Sequence, residues 1–403
     1  MSTPTLADGL TTMPTAAGTA SAVGGAAAVP ARLAHLFRPR GGHDDAPHPL
    51  LPLLQAYRGR PGQADRPAHP PPQPTATATA APATVAAALS KNRRAAPEFF
   101  CPLGGRTTHV VGLALLTTPA APPDIGTLTR HITALPPLPE AMTEVLLALN
   151  RSQLSAKRSI ELIEHDPALA ARTLRLANSA FYGVPGRVAS IGDAVRMLGL
   201  RTVSGVLAAA AVHNTLRVGA CPGFHFQAYW QHAIATALAA RALAPIAGRD
   251  ADEAFLAGLV HDIGQLALAA FQPGHASAAL AQAQARDLPA EQAEQAVLGL
   301  AHPQVGALLA MHWHFPAPIV QAIAQHHAAE PAGPGQRVSL SGLVQAANAV
   351  AHALDLGADP QEAVPAIDKS VWQALALSPE AALRIFDEVE RGTHEISALL
   401  HLA

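Results

Sequence analysis

Apolar residues recur at helical spacing along the chain from about residue 125 onward. A helix opened by Pro139 would place Met142, Val145, Leu146 and Leu149 on one face. Similar apolar faces, often preceded by a capping residue or by proline, predict further helices. These cover residues 156–164, 166–178, 194–198, 202–216, 226–246, 251–271, 276–286, 289–298, 303–313, 318–326, 339–354 and 379–399. No alternating strand pattern follows residue 125, so the sequence predicts an all-α fold.

The first 125 residues have a different texture. More than half of the 36 prolines lie there, and residues 66–83 read RPAHPPPQPTATATAAPA. Proline blocks helix interiors and removes backbone donors, so we predict a largely disordered, Pro/Ala-rich extension over 1–125. Within it, 33–37 and 50–57 are candidate short helices or docking pieces, and 109–116 is a candidate strand. Residues 126–403 are predicted to form a multi-helix bundle in two packed halves, 126–220 and 225–403.

Composition narrows the class of protein. Hydrophobic residues make up 49% of the chain and charged residues 14%, while aromatics reach only 4%. The core must therefore be built from alanine and branched aliphatic side chains. A formal net charge of −2 argues against bulk nucleic-acid binding, which needs a basic face. With no convincing signal peptide or membrane span and two distant cysteines, Cys101 and Cys221, we expect a cytoplasmic protein with reduced thiols and no membrane partner.

Histidine is the unusual residue: nine of the 20 histidines fall between positions 225 and 327. The sequence AFLAGLVHDIGQLAL places His261 and Asp262 inside an apolar segment that is predicted to be one helix. Such a buried pair is costly without partners, and imidazole with carboxylate is a common ligand set for divalent metals. Neighbouring predicted helices carry further polar candidates, namely His232, His302, the pair His326-His327 and Asn348. The residues alone leave open whether they hold a metal or form a hydrogen-bonded network of core histidines.

Several long motifs occur together in a fixed order. LPPLPEAMTEVL, IEHDPALAARTLRLANSAFYG and IGDAVRMLGLRTV are followed by GLVHDIG. Over about residues 130–330 this arrangement resembles the HDOD (HD-related output) domain, a branch of the HD superfamily. The resemblance implies an all-helical bacterial signalling module that acts through contacts with a signalling protein. It also implies a candidate vestigial metal site at His232, His261, Asp262, His302, His326 and Asn348.

Two positions depart from the catalytic branches of that superfamily. Asn348 stands where the active HD families have Asp, and Gln265 stands where the HD-GYP phosphodiesterases have Lys. The GYP signature is also missing, since AAEPAGPGQRV follows His327. We therefore predict a non-catalytic output module with no catalytic residues and no required cofactor, in which residual Fe or Mn could be held. The alternatives are a metal-dependent phosphohydrolase or cyclic-dinucleotide phosphodiesterase of the HD-GYP type, and a pseudo-enzyme that binds a nucleotide or metal as a regulatory ligand.

Three local patterns have simpler interpretations. Residues 191–203 mimic a helix-turn-helix, but the second helix reads TVSGVLAAAAVHNTL and is too apolar to face DNA, which predicts a core helix. His165-Asp166 precedes Pro167 and is interpreted as a helix cap. In the loop over 178–187, Asn178 either closes a helix or belongs to a partner-binding surface formed with Phe181, Tyr182 and Arg187.

Overall fold

The computed structural model describes residues 31–38, 47–60, 125–136, 138, 156–179, 188–216, 218–333, 336–356 and 363–399. These ranges are all-α, as predicted. Their helices are α1 (Ala31–Leu36), α2 (Leu50–Arg58), α3 (Ile125–Thr133), α4 (Ala156–His165), α5 (Pro167–Ala177), α6 (Ile191–Leu198), α7 (Leu200–Thr215), α8 (Phe226–Leu243), α9 (Ala251–Val260), α10 (Ile263–Phe271), α11 (Pro273–Arg286), α12 (Ala290–Leu298), α13 (His302–His312), α14 (Ala317–Gln325), α15 (Leu340–Leu354), α16 (Lys369–Leu375) and α17 (Pro379–Leu399). The predicted helix at 139–149, the candidate strand at 109–116 and most of the 178–187 loop lie outside the described residues.

The helix α8 occupies the centre of the bundle. It packs against α9, α15 and α17, and its residues from Ala233 to Ala240 are all buried. A helix that is apolar all round is stable only when other helices cover every side. Alanine fills most of these positions, which lets the neighbouring helices approach closely. The aliphatic, aromatic-poor core that the composition predicts is confirmed here.

The predicted docking pieces near the N-terminus are confirmed as α1 and α2. Leu50, Leu54 and Tyr57 are fully buried where α2 packs against α15 and α17. The Tyr57 hydroxyl lies 2.6 Å from Glu390 Oε2, to which it donates, and 3.0 Å from Asp387 Oδ1. Burial, together with these carboxylates, raises the pKa of Tyr57 far above its usual range. The segment is therefore part of the packed fold, although it precedes the helical bundle by more than sixty residues.

The helix-turn-helix look-alike is a core element, as predicted. Most of α7 is buried, and the helix packs against α9. The turn before it uses Gly199 at a φ of 80°, a left-handed conformation that side chains rarely adopt. A Cβ there would also lie 1.9 Å from Asp252 Oδ2, and that carboxylate accepts a hydrogen bond from the Thr202 hydroxyl. The glycine thus allows α7 to pack beside α9.

Other helix ends follow the sequence signals. The Ser190 hydroxyl accepts a hydrogen bond from the Asp193 amide at the start of α6. Asp166 accepts one from the Leu169 amide, which confirms that His165-Asp166 caps α5. The Asn178 side chain bonds to both the carbonyl and the amide of Val188, so it closes the end of α5 against the next described segment. The short helix α16, which begins after the capping residue Asp368, was not predicted.

The stretch Ala251–Phe271 is apolar and long enough to cross a membrane, but 83% of its most apolar window is buried inside the fold. This burial is typical of the core helices of soluble proteins.

Candidate metal centre

The His-Asp pair lies at a break between two helices, and the prediction of one continuous helix over 251–271 is wrong at this point. The helix α9 ends at Val260, and α10 begins at Ile263. The Nδ1 atom of His261 lies 2.7 Å from the Gly258 carbonyl, so the imidazole bonds to an oxygen that a continuous helix would offer to a backbone amide. Asp262 occupies the cap position of α10. The break keeps both side chains inside the bundle.

Glycines on both sides of the pair bring the neighbouring helices close. A Cβ on Gly258 would lie 2.8 Å from the Ala237 Cα atom of α8, which also carries His232. A Cβ on Gly264 would lie 2.0 Å from the His302 carbonyl at the start of α13. Both distances are shorter than any normal contact, so only glycine allows these approaches. The motif GLVHDIG thus carries the packing that assembles the site.

Five histidines converge around the Asp262 carboxylate, which is only 6% exposed. Oδ2 of Asp262 lies 3.3 Å from Nε2 of His261 and 3.8 Å from Nε2 of His232. Oδ1 lies 3.2 Å from Nε2 of both His302 and His326. His327 belongs with His302 and His326 on the Oδ1 side, since its Nε2 lies 3.0 Å from that of His302. Asp262 is therefore shared by two donor sets, which we call the His/Asp cluster.

Second partners fix which ring nitrogen of three histidines carries a proton. Nδ1 of His261 bonds to the Gly258 carbonyl, and Nδ1 of His326 bonds to the Ile323 carbonyl at 2.8 Å. A carbonyl only accepts, so both Nδ1 atoms must donate. Nδ1 of His302 lies 2.7 Å from Glu294 Oε2, which also accepts the His302 backbone amide. Each ring consequently directs Nε2 toward Asp262, the orientation that metal-binding histidines have.

Burial and charge control the protonation of the cluster. Burial lowers the pKa of His326 to about 4 and holds the pKa values of His232 and His327 well below the usual range. Burial also disfavours the charged form of His302, but the Glu294 and Asp262 carboxylates outweigh it and raise the pKa of His302, so a metal bound at its Nε2 would displace a proton. Burial opposes ionisation of Asp262 as well, yet His261 and His302 hold its pKa well below the usual range. Asp262 is thus a carboxylate, and His326 is neutral at pH 7.

This arrangement fits a divalent cation. Neutral His326, whose proton is on Nδ1, directs an Nε2 lone pair at Oδ1 of Asp262 from 3.2 Å. Two acceptors this close repel unless a cation lies between them. Oδ1 is buried and accepts no well-aligned hydrogen bond from the described residues. Separations of 3.0–3.4 Å between donors around Oδ1 match ligands that lie about 2.1 Å from a common ion.

The predicted site residues come together in one place. His232, His261, Asp262, His302 and His326 all belong to the His/Asp cluster. Asn348 lines the same cavity, and its buried Oδ1 has no hydrogen-bond partner among the described residues. His352 follows one turn later on α15, with its ring centroid 4.4 Å from that of His232.

Sequence reasoning named His327 as a candidate beside His326 but left it out of the predicted metal site, and it did not name Glu294 or His352. The helical pattern carried a signal for Glu294, because it lies one turn before the buried Leu298.

A cavity of about 1420 Å³ connects the cluster to the surface. The cluster residues Asp262, His302, His326 and His327 line it. Its lining also includes Arg38, His48, Gln265, Asp368 and Trp372. The site is therefore buried but reachable by a small ligand or ion.

Comparison with protein families assigns the central part of this chain. A family model described as the HDOD domain matches residues 135–329. The chain carries an HDOD domain. All five histidines and the aspartate of the cluster fall inside that HDOD domain, whereas α1, α2, α15, α16 and α17 lie outside it. The family resemblance that the motifs indicate is confirmed.

Related proteins extend beyond the HDOD domain. An uncharacterized protein from Treponema pallidum (strain Nichols) is 27% identical over 262 residues, which are 64% of this chain and 49% of that protein. The chain thus spans about half the length of this relative. A structure from Marinobacter aquaeolei VT8, provisionally named a signal transduction protein, is 26% identical with a TM-score of 0.57, covering 69% of this chain and 64% of that one. One from Shewanella amazonensis SB2B, provisionally named a phosphohydrolase, is 28% identical with a TM-score of 0.53, covering 68% and 98%.

Proposed function

We propose that this chain is a cytoplasmic, non-catalytic signalling module that binds a divalent metal in its His/Asp cluster and acts on another signalling protein by contact. The observation that carries the metal is the lone pair of His326, which faces the buried Asp262 Oδ1 across 3.2 Å. Imidazole with carboxylate suits Fe, Mn or Zn. The HDOD domain and the name of the Marinobacter relative support a role in signalling.

The polar set argues for binding without turnover. At position 348 an amide stands where the catalytic HD families have a carboxylate, and an amide is a neutral and weaker ligand. Position 265 also carries a neutral amide, so it supplies no cation that could bind a phosphate. The Gln265 side chain instead donates a hydrogen bond to Asp262 Oδ2 at 3.0 Å. The metal would then stabilise the bundle and its partner surface.

Phosphohydrolysis is the second candidate, and one observation favours it. Asp262 is shared by two donor sets, as a bridging carboxylate would be in a two-metal hydrolase. The provisional name of the Shewanella relative agrees with this function. In that case the bound ions would supply the nucleophile and the charge stabilisation, while the cavity would exclude bulk water.

One experiment separates the two functions. The purified 403-residue chain is analysed for metal content and assayed with a cyclic dinucleotide and bis(p-nitrophenyl) phosphate, with added Mn²⁺ or Fe²⁺. The Asp262→Asn variant is the matched control, since it removes the shared carboxylate charge. Metal in the wild type, reduced metal in the variant and no turnover in either support the proposal. Turnover by the wild type that the variant abolishes would overthrow the non-catalytic function. A wild-type protein that binds no metal even at saturating metal concentrations would overthrow the proposed metal binding.

The role of Asn348 can be tested directly. We expect Asn348→Asp to bind the metal at least about tenfold more tightly, because a carboxylate adds charge and a stronger ligand to the cluster. Gln345→Glu is the control, since it adds the same charge to the same helix and cavity. Competition with a chelator of known affinity gives the dissociation constants. Equal affinities for Asn348→Asp and Gln345→Glu would show that position 348 does not ligate the metal.

A further inference from the structure

The cavity over the cluster has a wall that the HDOD domain does not supply. Phe37, Arg38 and His48 line the cavity together with His302 and His327. The HDOD domain begins at residue 135, so this wall comes from a part of the chain far ahead of it. We call residues 31–38 and 47–60 the N-terminal segment. The N-terminal segment thus forms part of the wall of the cavity that reaches Asp262.

Polar contacts fasten the N-terminal segment on two sides of the cavity. Nε and Nη2 of Arg38 donate to the Asp287 carboxylate at the end of α11, at 2.9 and 2.8 Å. On the other side, the Val364 amide donates to the Leu36 carbonyl at 2.8 Å. The ring of His48 bonds to the Pro365 carbonyl at 3.1 Å. Val364 and Pro365 also line the cavity, so these contacts hold the segment against the cavity wall.

The two ends of the segment are held with different strength. The helix α2 is anchored by Leu50, Leu54 and Tyr57, whose side chains are fully buried. Among the side chains of α1 whose burial the structure describes, Leu33 and Leu36 are buried, and the helix is also held by the Val364–Leu36 backbone bond and the Arg38–Asp287 ion pair, whose side chains are 18% and 45% exposed. Partly exposed ion pairs are weak. We therefore expect α1 to open more readily than α2.

We propose that the N-terminal segment is an intramolecular cover, which limits the access of metal ions and small ligands to the His/Asp cluster and so determines what reaches it. The proposal deepens the proposed metal-binding function. Its test includes a measurement on metal-free protein, so that failure of the cover and failure of metal binding can be distinguished.

The cover is tested on the full chain with Arg38→Gln and Asp287→Asn, which remove opposite ends of one ion pair. Asp287 has a φ of 50°, and asparagine tolerates this left-handed conformation, so the second variant removes the charge and one of the two acceptor oxygens without straining the backbone. The matched control is Arg196→Gln, which breaks the Arg196–Asp193 pair outside the cavity lining. Each protein is loaded with Co²⁺, and its release to excess EDTA is followed by absorbance. We expect release about three- to fivefold faster in either cavity variant, no further gain in the double variant, and no change in the control.

The metal-free measurement is modification of His327 by diethyl pyrocarbonate, which reacts with the neutral imidazole that burial favours at this position, followed by peptide mass spectrometry. We expect the same acceleration in Arg38→Gln and Asp287→Asn. Circular dichroism checks that each variant is folded. If one of the two variants does not fold, the other one alone tests the cover. Equal modification rates in the wild type and the folded variants would overturn the cover. Absence of cobalt binding would contradict the metal function, and the modification rates would still test the cover.

Discussion

At the scale of single residues, the cluster depends on groups that never touch the proposed metal. Glu294 accepts both the Nδ1 proton and the backbone amide of His302, each at 2.7 Å. This holds the ring with Nε2 toward Asp262 and adds negative charge behind it. The carbonyls of Gly258 and Ile323 do the same for His261 and His326 without a charge. Glu294 is thus a side-chain positioning residue that a point substitution can test.

We predict that Glu294→Gln lowers metal affinity about tenfold, because the neutral amide is a weaker acceptor and no longer fixes the His302 ring. Chelator competition measures the affinity, and the Co²⁺ absorption spectrum reports the ligand geometry. Glu291→Gln is the matched control on the same helix, since no described hydrogen bond joins Glu291 to the cluster. Unchanged affinity and spectrum in Glu294→Gln would remove this role.

The sequence identifies ligands better than their supports. Two signals identified the candidate ligands His232, His261, Asp262, His302 and His326. Histidine is unusual in apolar helices, and the long motifs in a fixed order resemble the HDOD domain. The helical pattern places Glu294 on the same face as the buried Leu298, but glutamate is common on exposed helix faces, so this position alone did not reveal its role. Its role depends on the approach of α12 to α13, which only the three-dimensional structure supplies.

At the scale of helices, the site depends on the close approach of neighbouring helix backbones. Gly264 faces the His302 carbonyl, and we predict that Gly264→Ala lowers the free energy of unfolding by about 3 kcal/mol or more, because backbone must move to admit a methyl group. Gly274→Ala is the control: it lies in α11 with no atom within 4 Å of the added Cβ, and should change stability by less than about 1 kcal/mol. Urea denaturation measures both. Equal effects would contradict the packing argument.

The docking of α2 should weaken in acid. The His48 ring bonds to the Pro365 carbonyl through Nε2 and accepts the Leu50 amide at Nδ1, so it must be neutral. Burial lowers its pKa in the folded state relative to the usual 6.5. The unfolded chain therefore binds more protons, and this contribution to stability is complete above pH 6.5 and is lost as the pH falls below it.

Hydrogen exchange tests this prediction. Amides of α1 and α2 should exchange faster at pH 5 than at pH 7.5, after correction for the intrinsic rate, and His48→Gln should reduce that difference. A pH difference of the same size in His48→Gln would assign the effect to other groups.

Helix positions were largely predictable, and the break at His261-Asp262 was not. The apolar residues from Phe255 to Leu268 fit the spacing of one continuous helix. A pattern based on apolar positions alone therefore does not detect the break at His261-Asp262. The interruption arises from a side chain that bonds to the backbone at Gly258, which periodicity cannot reveal. The short α16 was missed for the opposite reason, since seven residues give too few turns for a pattern.

At the scale of the whole molecule, metal binding would join several separate helices. The cluster draws its donors from α8, the α9–α10 junction, the start of α13 and the end of α14. We predict that metal at about one hundred times its dissociation constant adds about 2.7 kcal/mol to the free energy of unfolding. The melting temperature should rise by about 5–10 °C. Calorimetry with and without Mn²⁺ or Zn²⁺ measures the shift, and Asp262→Asn should lose most of it. An equal shift in that variant would place the ion elsewhere.

The central position of α8 has a practical consequence for anyone who expresses this protein in pieces. A fragment trimmed to residues 135–329 would lack α15 and α17, the two partners that cover α8 from beyond the family boundary. Its bared alanine-rich surface would face water and favour aggregation. Recombinant work should therefore keep the chain through residue 399, and a soluble shorter fragment would imply that something else shields that surface.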